Sequence, residues 1–217
     1  MLGKEDTAVR GNFLSALAMF IAVSVTFINV INPILVLVGI GIGAIIGSLI
    51  ALKVKMTSIP EMVALFNGFG GLATFFIAWS EFNSIPSNNF QYLLVMITTY
   101  IGGVTFSGSV IAYGKLSETL KVEKSSIITK LFTTFFYISI IYLLYSIFIT
   151  KIFSPGFDFY TILLILTLLG GVGFVIPIGG GDMPVVISLL NSFSGIAAAF
   201  AGCLLYTSPS PRDSIAS

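Results

Sequence analysis

PILVLVGIGIGAIIGSLIAL, residues 33–52, is an unbroken apolar run with no charged side chain. Its length decides what it is. About 20 helical residues, rising 1.5 Å each, cross the roughly 30 Å of a bilayer's hydrocarbon. Six further runs of similar length flank it, at about residues 12–30, 61–80, 90–113, 131–150, 158–178 and 183–203. Helices satisfy their own backbone groups in lipid, whereas barrel strands would alternate polar and apolar over short stretches. The expected fold is therefore all-α: a polytopic transmembrane bundle of about seven spanning helices. Pro33, Pro60 and Pro184 fall at helix starts, where a missing N–H costs nothing. The first run is too long for the core of a cleavable signal, and six more spans follow it.

Composition agrees. The chain has 217 residues, 56% hydrophobic and only 9% charged, with no histidine, and its mean hydropathy is +1.06. Soluble domains carry about 25% charge, so a water-soluble enzyme is excluded, as is a disordered chain. A formal net charge of +1 without a basic cluster excludes a nucleic-acid partner. One cysteine, Cys203, gives neither a disulfide framework nor a multi-cysteine metal site.

Lysine and arginine set the expected orientation. Lys4, Arg10, Lys53, Lys55, Lys115, Lys121, Lys124 and Lys130 fall on the side of residues 1–11, whereas the opposite loops hold Lys151, apart from Arg212 in the tail. The positive-inside rule makes the first side cytoplasmic. Residues 1–11, the loop at about 114–130 and the turn Gly179-Gly180-Gly181-Asp182 are expected there.

Glycines at 39, 41, 43 and 47 superficially suggest a nucleotide fingerprint. The spacing is wrong and no strand precedes them. Gly39, Gly43 and Gly47 read better as a small-residue stripe for close helix packing. Gly102 and Gly103 in the fourth run, and Gly170, Gly171 and Gly173 in the sixth, read the same way.

Polar side chains at bilayer depth are costly and mark candidate sites. Asn67 lies about two turns past Glu61 and shares a stripe with Gly71 and Thr74. Thr98, Gly102, Thr105 and Ser109 form a second stripe, and Ser188, Asn191, Ser192 and Gly195 a third. The expectation is that the three stripes face one another around a hydrated path for a proton or small ion. Ser and Thr also commonly bond their own backbone or join helices. Asn has more groups to satisfy and is dearer to bury, but cannot itself take up a proton near neutral pH. The ionisable candidates, Glu61 and Asp182, both sit at helix N-termini, where plain capping is the competing role.

The stretch GGGDMPVVISLLNSFSGIAAAFAG, residues 179–202, resembles the membrane domain of the beta subunit of proton-translocating NAD(P) transhydrogenases. KMTSIPEMVALFNGFGGLATFF (55–76) and GGVTFSGSVIAYGKL (102–116) are similar in register, and GKEDTAVRGN resembles the loop after that family's first membrane helix. The resemblance covers residues 3–202. It implies an energy-coupled oxidoreductase (a translocase of class EC 7.1.1.1) that passes hydride between NADH and NADP+ while protons cross a bacterial inner membrane. NAD(H) belongs to an alpha subunit that also contributes membrane helices. NADP(H) belongs to a domain following the beta membrane helices and absent from these residues. The assembly is a homodimer of alpha–beta units. This segment itself is implied to hold no catalytic residue, cofactor or metal. By resemblance, Asn191 belongs to the proton path and Asp182 to the face that meets the NADP(H) domain; Asn67 and Ser192 are expected to share the first role and Glu61 the second. One departure stands out: several members carry histidine in the motif where this chain has Asn67. The protonatable group is then expected on an alpha-subunit helix.

Two further expectations concern the ends. Sequence is expected to be missing before residue 1 and after about residue 202, and LLYTSPSPRDSIAS, residues 204–217, resembles translated adapter sequence rather than native tail. Competing readings are a stand-alone transporter or channel, and a non-catalytic assembly subunit. The first prediction is that the purified chain neither binds NAD(H) or NADP(H) nor transfers hydride. Calorimetric titration with each nucleotide checks it, and measurable binding would contradict it.

Overall fold

Every apolar run of the sequence is a helix in the computed structural model, which describes residues 5–27, 33–84, 88–121, 127–150 and 157–207. The helices are α1 (Glu5–Phe27), α2 (Pro33–Lys53), α3 (Ile59–Asn83), α4 (Asn89–Leu116), α5 (Ile127–Thr150), α6 (Phe157–Val175) and α7 (Met183–Thr207). All seven include stretches long and apolar enough to cross a membrane, and no strand occurs among the described residues. The three expected prolines do stand in first turns. α3 follows a short 3-10 turn, Met56–Ser58, and α4 is capped by Asn88, whose side chain accepts from the Gln91 N–H at 2.9 Å. That bond satisfies one of the orphan donors of a helix start.

Some bounds differ from the hydropathy reading. α1 begins at Glu5, so much of the hydrophilic run expected as a loop is helical; acidic residues suit a helix N-terminus. α6 ends at Val175 rather than 178: Ile176 makes the last helical bond, to the Val172 carbonyl at 2.9 Å, and Pro177 has no N–H to make the next. α7 continues through Leu204, which is fully buried. Lys4, residues 28–30 of the expected first span, residues 122–126 with Lys124, Lys151, and residues 208–217 with Arg212 lie outside the described residues.

The chain divides into two units, Met1–Val54 and Lys55–Ser217. In the first, α1 and α2 turn apolar side chains outward along their length, and no residue of α2 is buried. Within that unit, a Cβ added at Gly39, Gly43 or Gly47 would meet nothing within 4 Å.

In the second unit α4 is central. It packs against α3, α6 and α7, and more lightly against α5; α5 packs mainly on α6. Successive helices alternate in direction. One end gathers Ala64, Ala112, Val175, Met183, Val186, Ile187 and Leu190. The other gathers Phe82, Tyr92, Leu94, Val95, Met96, Tyr160, Leu163 and Leu204. The first cluster joins the starts of α3 and α7 to the ends of α4 and α6, and the second joins the opposite ends.

Backbone contact holds α4 in place. A Cβ at Gly71 would lie 2.9 Å from the Gly102 carbonyl oxygen and 2.9 Å from the Phe106 nitrogen; one at Gly102 would lie 2.9 Å from the Gly71 carbonyl oxygen. On the other side of α4, Gly171 of α6 sits against the Val104 backbone, Gly103 against Thr167, and Gly173 of α6 against the Phe132 carbonyl of α5. Without a water-driven term between helices in lipid, such close approach supplies the dispersion contacts that join them.

Adjacent glycines give a test. Gly70 has open space where Gly71 has backbone. Gly71→Ala should destabilise the unit by about 1–3 kcal/mol through overpacking. Gly70→Ala should be neutral or stabilising by up to about 1 kcal/mol, from helix propensity. Unfolding in mixed micelles measures both, and equal behaviour would contradict the packing described.

Candidate functional site

Asn67 is the polar centre of the second unit. It sits eight residues into α3, about 12 Å along the helix at 1.5 Å per residue, and is half-buried. Its Nδ2 donates to Ser109 Oγ of α4 at 3.0 Å. Its Oδ1 accepts from Ser194 Oγ of α7 at 2.7 Å. One amide thus joins three helices. Gly68, next to it, is buried against Ser109 and the Phe106 carbonyl, where a Cβ would come within 3.1 Å of Ser109 Cβ. A side chain at 68 would hold α4 away and lengthen the Asn67–Ser109 bond.

The stripes expected from sequence meet only in part. Those of α3 and α4 do face each other: Thr74, Thr98, Thr105 and Ser109 are buried, and Gly71 opposes Gly102. Thr74 Oγ1 donates back to the Gly71 carbonyl at 2.9 Å. The hydroxyls of Thr98 and Thr105 are buried without a hydrogen-bond partner among the described residues. The third stripe points elsewhere. Ser188, Asn191, Ser192 and Gly195 are exposed on α7, and Ser192 Oγ bonds the Ser188 carbonyl at 3.1 Å. Asn191 and Asn67 are therefore not brought together within this chain.

Ser194, which the sequence reading did not single out, is the α7 residue that bonds Asn67. Along α7, Met183, Ile187, Leu190, Ala197, Ala201 and Leu204 are buried. They alternate by four and three residues, with Ser194 completing the series. That is the seam of a helix against its neighbours. A polar residue in the seam, rather than beside it, is the one positioned to bond another helix.

Asp182 ends the short 3-10 turn Gly180–Asp182, is exposed, and its N–H donates to the Gly179 carbonyl at 3.1 Å. Glu61 lies in the first turn of α3 and is half-buried. Both carboxylates stand at the end of the unit that also holds Lys115, Lys121 and Lys130, in keeping with the starts of α3, α5 and α7 meeting the ends of α4 and α6. No group of three or more His, Cys, Asp or Glu that could hold a metal occurs among the described residues. The arrangement offers a fixed amide relay between hydroxyls inside the helices, and a glycine-rich acidic turn at one end.

The family model described as NAD(P) transhydrogenase beta subunit matches residues 1–208. Two curated relatives from Rhodospirillum rubrum, one assigned to a particular strain, are both named NAD(P) transhydrogenase subunit beta. Each is 34% identical over 215 residues, covering 94% of this chain and 46% of the relative. The chain thus spans about half the length of the curated relatives it matches.

The amide bridge is measurable by a double-mutant cycle. Asn67→Ala and Ser194→Ala should be less than additive, with a coupling of about 0.6 kcal/mol and at most about 1.7, the range for interhelical hydrogen bonds in membranes. Strict additivity in unfolding free energy would contradict the bond.

Proposed function

This chain belongs to the NAD(P) transhydrogenase beta subunit family, and from that premise we propose that it is the membrane domain coupling proton movement to hydride transfer between NADH and NADP+. The observation that carries the reading is the Asn67 amide held between Ser109 and Ser194 inside spanning helices. It holds the Ser194 hydroxyl as a donor and the Ser109 oxygen as an acceptor, which leaves the Ser109 O–H to donate elsewhere. Buried hydroxyls of Thr98 and Thr105 add polar groups along α4, and ordered water finds its partners at such groups.

An amide does not titrate near neutral pH, and the chain has no histidine. Asn67, with Ser109 and Ser194, orients hydroxyls and water beside a protonatable residue supplied by an alpha-subunit helix. Asn191 and Ser192, exposed on α7, face what that partner or a following beta helix brings. The lysine-rich end is cytoplasmic in a bacterial inner membrane by the positive-inside rule. Asp182 and Glu61 then stand where an NADP(H)-binding domain docks. NAD(H) is held by the alpha subunit, and the assembly is a dimer of alpha–beta units.

Energetically, one charge moved through 100 mV supplies about 2.3 kcal/mol, and each 1.4 kcal/mol is about tenfold in an equilibrium. Because the two nicotinamides are chemically similar, that energy is best used to shift nucleotide affinity. The test is hydride exchange by the assembled enzyme in vesicles, with and without an imposed proton gradient. Asn67→Leu should abolish the gradient's stimulation while assembly persists. A stimulated rate equal to that of the unaltered enzyme would overturn the reading.

A further inference from the structure

At the end of α4, six residues beyond Ser109 and about 9 Å along the helix, stands Lys115. Its Nζ donates to the Ile178 carbonyl at 2.6 Å, to the Val175 carbonyl at 3.2 Å, and to the Ile176 carbonyl. These are the final carbonyls of α6 and of the turn that leaves it. The last four carbonyls of any helix lack partners within it, and here Pro177 prevents the helix from continuing to supply them. A half-buried ammonium with three N–H donors is set against three carbonyls. It also lies at the negative end of the α6 dipole, where a cation is favoured.

The segment beyond this contact is Gly179-Gly180-Gly181-Asp182. Nothing lies within 4 Å of where a Cβ at Gly180 or Gly181 would be, so no side-chain packing at those two positions steadies the turn. α4 reaches the turn directly. The same helix holds Ser109 on the Asn67 amide. One rigid element therefore contacts the polar centre at one point and the base of the Asp182 turn at another.

We propose that Lys115 is a positioning residue that fastens the 176–182 turn to α4, so that a change at the Asn67–Ser109 contact is transmitted to the placement of Asp182. This rests on reading the Asp182 turn as the face that meets the NADP(H) domain. A small shift of α4 carries the ammonium, the ammonium carries three carbonyls, and the turn follows. A merely structural cap would need the same bonds but would not alter the response to a gradient.

The test uses the assembled enzyme in vesicles, with a nitroxide on Gly181→Cys in a Cys203→Ser background. Lys115→Met keeps much of the apolar stem and removes the donors. It should raise the label's rotational mobility and lower the gradient's stimulation of hydride exchange about tenfold, the weight of one charge-assisted hydrogen bond. Lys115→Arg, which keeps the cation, should restore most of both. If Lys115→Met does not assemble, Lys115→Leu, which also removes the donors, replaces it with the same expectations. An assembled variant with an unchanged label spectrum overturns the proposal, and so does a loosened label with full gradient stimulation. Absence of stimulation in the unaltered enzyme would overturn the functional reading instead. It is told apart because the label would still loosen in Lys115→Met.

Discussion

The approach of α3 to α4 at Gly71 and Gly102 is the constraint on which the second unit rests. With no Cβ on either residue, each backbone meets the other's carbonyl at a distance that any side chain would forbid. In water, apolar burial would drive two helices together. In lipid that drive is absent, and association depends on how closely backbones can pack and which polar groups they bring into reach. Gly68 extends the contact by one turn and sets the Asn67 amide against Ser109. The polar centre is thus a consequence of glycine spacing as much as of the asparagine.

Burying α4 on three sides raises a second requirement. Polar groups on it must find partners inside the protein, since hydrocarbon offers none. Ser109 bonds Asn67, and Ser107 bonds the Gly103 carbonyl. Thr99 pairs with the hydroxyl of Tyr160 at 2.7 Å. Tyr160 also stacks on Phe82, with ring centroids 3.9 Å apart. Aromatic packing and a satisfied hydrogen bond join the helices at that end of the unit. The opposite end gathers Ala64, Ala112, Val175, Met183 and Leu190, with the glycine turn and the Lys115 ammonium beside them.

Much of this was legible in the chain. Runs of about twenty apolar residues specify spanning helices because the hydrocarbon thickness admits little else. Pro33, Pro60 and Pro184 mark starts because a proline ring suits a first turn. The motifs around Asn67, Ser109 and Asp182 identified the family, and the packing of Gly102 and Gly103 followed from the small-residue rule. Which residue of α7 meets Asn67 did not follow. A polar residue seen alone does not say which way it points, and only the alternation of buried positions along α7 singles out Ser194. Lys115 was equally hidden. As a loop lysine it counted toward orientation, yet its ammonium caps a helix more than fifty residues later in the chain.

The sequence by itself therefore determined the number and length of the helices, their membrane setting and the family, because hydropathy, proline placement and motif spacing are local properties of the chain. The tertiary structure decided which faces meet: Asn67 with Ser109 and Ser194, Gly71 with Gly102, Lys115 with the carbonyls that end α6. Those pairings depend on helix rotation and crossing. In a membrane, apolar residues surround each helix and leave a weak stripe to read, so rotation is set by where backbones can touch and where buried polar groups find partners.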